Sequence, residues 1–149
     1  MGEGKLAQSK EYASRMLKAT VVASIFGGLA VLAASPLIMR FASLNDTAMH
    51  YLKYMLLINS YYITGSAVNT ALIAGIFRAG GDTKFGLICD IINMWFVILP
   101  CAFLAAFVLK LPVIAVFFVI NLDEVTKLWA VILHYRKYGW VKNLTRMEA

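Results

Sequence analysis

Four stretches of this chain are too long, too apolar and too nearly free of charge to be folded by water. The first lies between Lys18 and Arg40, and the second between Lys53 and Arg78. The third lies between Lys84 and Lys110, interrupted only by Asp90, and the fourth runs from Pro112 to about Tyr135. Each is roughly 20 to 25 residues, the length at which an α-helix crosses about 30 Å of hydrocarbon. A helix satisfies its own backbone hydrogen bonds where lipid offers no partners. The expected fold is therefore an all-α, polytopic membrane protein with four transmembrane helices, spanning about residues 19–39, 48–78, 84–109 and 112–137.

Composition supports a bilayer as the solvent. Hydrophobic residues make up 61% and charged residues 15% of the 149 residues, against roughly 45–50% and about 25% in globular chains. Mean hydropathy is +0.75. The formal net charge of +6 does not point to nucleic acid, because the bases lie between apolar runs and not along one polar face; they read as topology signals. Lys5, Lys10, Arg15 and Lys18 precede the first span. Arg78 and Lys84 flank the loop between the second and third, and Arg136, Lys137, Lys142 and Arg146 follow the fourth. Only Arg40, Lys53 and Lys110 lie at the opposite end. The positive-inside rule makes the richer end cytoplasmic, so both termini are expected inside a multi-pass plasma-membrane protein whose first partner is the lipid bilayer. Residues 1–18 read as a cytoplasmic amphipathic connector and 138–149 as a cytoplasmic tail.

Turn chemistry agrees with these boundaries. Asn45 or Asp46 is placed to cap the second helix. Gly80 and Gly81 stop it, and Asp82 is placed to cap the third. Pro112 suits the first turn of the fourth. Gly27–Gly28 suits close packing between helices.

Polar residues inside the spans carry the functional signal. The fourth span contains VINLDEVTKLWAV (119–131), with Asp123, Glu124 and Lys127 in apolar surroundings. A charge at mid-membrane costs about 2.5–3.5 kcal/mol on the insertion scale, so these groups must be paired or must face protein or water. Asp123 and Lys127 are spaced i,i+4, and Glu124 and Lys127 i,i+3. Asp90, about six residues into the third span, reaches a depth similar to Lys127 in an antiparallel neighbour, so the two are expected to pair. The cluster Asp90, Asp123, Glu124 and Lys127 serves either as structural glue or in the passage of substrate or ions. In the second span, Asn59, Tyr62, Ser66, Asn69 and Thr70 fall within about 100° of one another on a helical wheel. Helix–helix hydrogen bonding and a water-filled cavity both explain such a stripe; its length favours the cavity.

Other chemistries fail on spacing. GGDTKFG (80–86) lacks the strand and the Gly-Lys-Ser/Thr ending of a phosphate loop. His50 and His134 have no metal-ligand spacing. Cys89 and Cys101 stand about 18 Å apart on a continuous helix, too far to bridge. No nucleophile–base pair is readable, so an enzyme is not expected, nor is a metal centre.

GIFRAGGDTKFG (75–86), with Asp90, Trp95 and Pro100 following, resembles the multidrug and toxic compound extrusion (MATE) transporters. LDEVTK (122–127) and YGWVKNLT (138–145) are similar to that family's last helix and tail. The resemblance implies helices nine to twelve of a twelve-helix protein, part of its six-helix C-terminal lobe. It implies a C-terminal fragment of an antiporter that exports organic cations and other xenobiotics in exchange for protons or sodium, with no further cofactor. Such a fragment is not expected to transport alone, because the N-terminal lobe is missing. The resemblance also makes the second span, with Asn59, Tyr62, Ser66, Asn69 and nearby Asp90, a lining of the substrate or ion cavity. Arg78, Gly80, Gly81 and Asp82 become a cytoplasmic hinge loop. The chain departs from some branches by having Asn59 and other neutral groups where an acid stands in the helix matching residues 54–77. Two other readings remain: a small four-helix scaffold or regulatory subunit, and part of a related flippase for lipid-linked sugars.

Overall fold

A computed structural model of the chain describes residues 6–140; Lys5 and the tail residues 141–149, including Lys142 and Arg146, lie outside the described residues. Four helical rods make up the fold, and among the described residues there is no strand. It is an all-α membrane protein. Two rods, over residues 7–41 and 83–108, are long and apolar enough by themselves to cross a membrane, and only 11% and 17% of their most apolar windows are buried within the protein. Helices this apolar and this little covered belong to a lipid-facing exterior. Phe96 and Trp129, each 75% exposed, show where lipid must lie.

The first rod, α1 (Leu6–Phe41), begins well before the expected span and passes through Pro36. Residues 6–18 form its opening turns, continuous with the first span. LAQSKEYASRMLK contains no glycine or proline, and its residues favour helix. At about 1.5 Å per residue the rod is some 54 Å long, so it outreaches the hydrocarbon. Ala13 and Leu17 on these opening turns pack into the protein core.

The second rod is α2 (Asp46–Thr70), continued by a π-helical segment, Ala71–Phe77. Asn45 caps it, its side chain accepting the Ala48 N–H at 2.8 Å. α1 packs chiefly on α2. At their crossing Ser60 Oγ donates to the Gly28 carbonyl at 3.0 Å, and a Cβ on Gly28 would stand 2.6 Å from the Ser60 carbonyl oxygen. Only glycine allows that approach. The rod ends at Gly80–Gly81, where Gly81 takes a φ of 85°, a left-handed conformation that favours glycine.

The third rod runs from α3 (Thr83–Ile92) through a π-helical segment, Asn93–Ile98, then α4 (Leu99–Phe103) and a second π-helical segment, Leu104–Val108. The fourth was expected as one helix over 112–137, but it is broken. Pro112 precedes α5 (Val113–Ile120), and α6 (Asp123–Arg136) starts afresh after a turn at Asn121–Leu122. The cause is local hydrogen bonding. Asn121 Nδ2 donates to the Phe117 carbonyl at 2.8 Å, and Tyr61 on α2 donates to the Asn121 carbonyl at 3.2 Å. An asparagine side chain competing for backbone groups favours a turn over helix. The break puts Asp123 and Glu124 in the first turn of α6, where the helix dipole favours negative charge.

The buried core sits at the base-rich end. Leu72, Phe77 and Val131 are fully buried there with Ile76 and Trp140. The start of α1, the 78–82 turn and the end of α6 meet at this end: Lys10 Nζ stands 4.1 Å above the Tyr138 ring, and Trp140 packs on Gly80.

Candidate functional site

Lys127, on α6, stands at the centre of the charged site. Its Nζ lies 3.3 Å from Asp90 Oδ1, 3.4 Å from Glu124 Oε1 and 3.6 Å from Asp123 Oδ2. Asp90 belongs to the third rod and the other three residues to the fourth, so the ammonium joins the two. Burial grades the acids: 8% of the Glu124 side chain is exposed, 19% of Asp123 and 49% of Asp90.

The second rod holds Glu124 from the other side. Asn69 Nδ2 donates to Glu124 twice, to its backbone carbonyl at 2.8 Å and to Oε2 at 2.6 Å. Tyr62 reaches Oε1 at 3.5 Å. Both neighbours of the Asn69 nitrogen are acceptors, which fixes the orientation of its amide. Gly65 permits this approach, since a Cβ there would lie 3.2 Å from Glu124 Cβ. The third rod adds Asn93, whose Nδ2 donates to the Asp123 carbonyl at 3.0 Å and whose Oδ1 accepts from Thr126 Oγ1 at 2.7 Å. Three rods thus converge through side chains that hydrogen-bond each other across the interface.

The site is not fully satisfied. Asn69 Oδ1 and Asp123 Oδ1 are buried and have no hydrogen-bond partner. Asn69, Thr70, Asp90, Glu124 and Lys127 line a cavity of about 120 Å³. Thr70 also borders an open groove of about 510 Å³, shared with Tyr62 and Ser66. Groove and cavity therefore meet along one face of the second rod. Both π-helical segments nearest the site start beside it, at Ala71 and at Asn93. Such departures from α geometry occur often where a helix carries function.

The expected residues divide accordingly. Asp90, Asp123, Glu124, Lys127, Asn69 and Tyr62 come together; Ser66 lies on the adjoining groove; Asn59 is exposed and away from the charges. Arg78, Gly80, Gly81 and Asp82 lie at the packed end. Asp82 does not cap α3 as expected. Its Oδ2 lies 2.7 Å from His134 Nε2, and the His134 ring stacks on Phe85 with centroids 3.7 Å apart. The aspartate meets an imidazole instead of the helix N-terminus, because α6 brings His134 beside the turn. Sequence reasoning missed Tyr61, Asn93, Asn121 and Thr126. A signal was present for two of them: Asn93 follows Asp90, and Thr126 follows Asp123, at the three-residue spacing that shares a helix face. Among the described residues, no group of three or more histidine, cysteine, aspartate or glutamate side chains is placed to hold a metal ion.

A bundle of membrane helices that shares buried charges between its rods, beside a groove, has the architecture of a membrane transporter. The MatE family model matches residues 1–104, and the chain belongs to that transporter family. The matched region carries Asn69, Asp90, Asn93 and the 78–82 turn; it stops before α5 and α6, and so before Asp123, Glu124 and Lys127. Neither the curated proteins nor the solved structures give a match.

Proposed function

We propose that these four helices form the latter part of the second lobe of a MATE-type antiporter, which exports organic cations in exchange for protons or sodium. Both termini then face the cytoplasm of a plasma-membrane protein, a placement that the distribution of bases supports. Family membership supports the transporter role, and the resemblance of residues 75–86, 122–127 and 138–145, with Asp90, Trp95 and Pro100, to the last helices and tail of the family supports the placement.

The observation that carries the antiport reading is Glu124, a carboxylate buried between rods and held by Asn69 from one side and Lys127 from the other. A buried acid is costly in hydrocarbon unless it works or is fully paired. Asp90 is half-exposed at a depth where acyl chains would otherwise meet it, so this face belongs against a polar cavity or a further protein surface. A cation arriving by the groove would compete with Lys127 for the same carboxylates.

Efflux of a fluorescent organic cation from an efflux-deficient host tests the reading. The chain joined to the eight preceding helices of a MATE protein should export the dye, and the 149-residue chain alone should not. Glu124→Gln in the joined protein should lower efflux at least tenfold at unchanged membrane abundance. Full efflux by the variant would remove Glu124 from the mechanism. A joined protein that inserts but never exports would favour the scaffold reading.

A further inference from the structure

At the end of the molecule that is poor in bases, α1 and α2 leave a narrow groove between them. Leu32, Ser35 and Met39 line it from α1, and Lys53, Tyr54 and Leu57 from α2, around a volume of about 180 Å³. Leu32 is 38% exposed and Leu57 57%, so the groove opens outward on the flank of α1, a rod little covered by protein. Its charge sets it apart. Among the described residues Lys53 forms no ion pair, whereas at the base-rich end Arg15 is paired with Glu11 and Lys10 stands over the Tyr138 ring. Leu57 lies one helical turn deeper than Lys53, about 6 Å at about 1.5 Å per residue. A lysine so placed lays its stem along apolar surface and holds its ammonium at headgroup level. Tyrosine is enriched at the same level, and Tyr54 stands beside Lys53 on the groove.

We propose that this groove holds one anionic phospholipid of the leaflet at the base-poor end, its phosphate on the Lys53 ammonium and the Tyr54 hydroxyl and one acyl chain along Leu32, Met39 and Leu57. Charge and shape select this occupant. An ammonium without an acid beside it calls for an anion, and phosphate oxygens accept strong, charge-assisted hydrogen bonds from it. The apolar wall below calls for hydrocarbon. An α-helix, about 10–12 Å across, does not enter a notch of this volume, whereas a single acyl chain lies along it. The groove is also smaller than the roughly 300–1,000 Å³ of small-molecule pockets, and its lysine repels organic cations. The site requires that the chain lie in a bilayer; it does not rest on the antiport reading.

Photo-cross-linking in vesicles tests this. The full chain, with a benzophenone side chain substituted for Leu57, is reconstituted in phosphatidylcholine containing about one-tenth phosphatidylglycerol, and the mass of each adduct identifies the lipid. Adducts should be about fivefold richer in phosphatidylglycerol than the bulk membrane, the enrichment that one lysine near a membrane surface provides. Lys53→Ala should return them to the bulk composition, and Lys53→Arg should keep the enrichment, which separates lost charge from a disturbed fold. The same probe substituted for Phe103, 57% exposed on the third rod, should report the bulk composition. Adducts of bulk composition at position 57, enrichment that survives Lys53→Ala, or equal enrichment at position 103 would each overturn the site. Cross-linking to protein in place of lipid overturns it too, and would mean that a second copy of the chain covers the groove.

Discussion

The two ends of α6 solve the problem of living in lipid in opposite ways. At its C-terminal end, Val131 and neighbouring Phe77, Leu72 and Trp140 are buried almost completely, and His134 is pinned between Asp82 and Phe85. At its N-terminal end, Glu124 and Lys127 line a cavity with Asn69 and Asp90, and the acceptor oxygens Asn69 Oδ1 and Asp123 Oδ1 lack partners. A close-packed interior resists displacement, because each atom that moves loses its dispersion contacts. An ammonium with three carboxylates inside 4 Å is not tied to one geometry in the same way. α6 is thus anchored at the base-rich end and free to change electrostatic partners at the other. The break at Asn121–Leu122 separates that charged end from the apolar α5.

The strongest way to break this comparison is at the anchor. Trp140→Ala removes a side chain that is 1% exposed and packs on Gly80, Tyr135 and the core. It should cost about 3–5 kcal/mol, the range for deleting a buried large aromatic, measured as unfolding free energy in mixed micelles. Gly80→Ala should cost less, about 1–3 kcal/mol, because the added Cβ collides with the Trp140 carbonyl and the 139–140 backbone must shift. A loss below about 1 kcal/mol for Trp140→Ala would show that the packed end anchors nothing. At the charged end, Glu124→Ala should cost about 1–3 kcal/mol by removing the side-chain acceptor of the buried Asn69 amide and leaving it only the 124 backbone carbonyl. Glu124→Gln, which keeps an oxygen for that amide, should recover part of the loss. Equal losses for the two variants would mean that charge, not the hydrogen bond, holds α2 to α6.

How far the sequence revealed this arrangement depended on whether a partner was near in sequence or set by depth. The rods were legible because acids and bases are absent over membrane-spanning lengths. The meeting of Asp90 with Lys127 was legible because two residues at similar depth on antiparallel neighbours have few other places to go. The break in the fourth rod was not legible, since a helical wheel drawn through 112–137 assumes the continuity that Asn121 removes. His134 falls on the same wheel stripe as Asp123 and Lys127, yet its partner is Asp82, at the far end of a different rod. Asp82 offered two competing fates, a helix cap or a tertiary partner, and only packing chose between them. Asn59 misled for a geometric reason: it lies about 80° from Asn69 on a wheel of about 100° per residue, enough to turn outward once Asn69 faces α6. Asn69 itself could be assigned to a polar face, but nothing local in the sequence said that its carbonyl oxygen would be left over.

The smallest expected effect separates distance from environment. Arg15 and Glu11 form the shorter ion pair, 2.6 Å at i,i+4 spacing, with side chains 71% and 61% exposed. Lys127 and Asp90 form a longer one, 3.3 Å, with the lysine only 13% exposed. Distance alone would rank the first above the second. Solvent screening reverses the order, because an exposed i,i+4 pair is worth about 0.3–0.5 kcal/mol while a pair inside a shared network couples by about 0.5–3 kcal/mol. Double-mutant cycles to alanine at both pairs, read as unfolding free energies, should give Lys127–Asp90 the larger coupling. Raising salt from about 0.05 to 0.5 M should erase most of the Arg15–Glu11 term, since the Debye length falls below the reach of exposed charges, and should leave most of the Lys127–Asp90 term. A coupling that is larger, or equally resistant to salt, at Arg15–Glu11 would mean that water reaches Lys127 as freely as it reaches the surface, and the contrast between the two ends of α6 would then rest on packing alone.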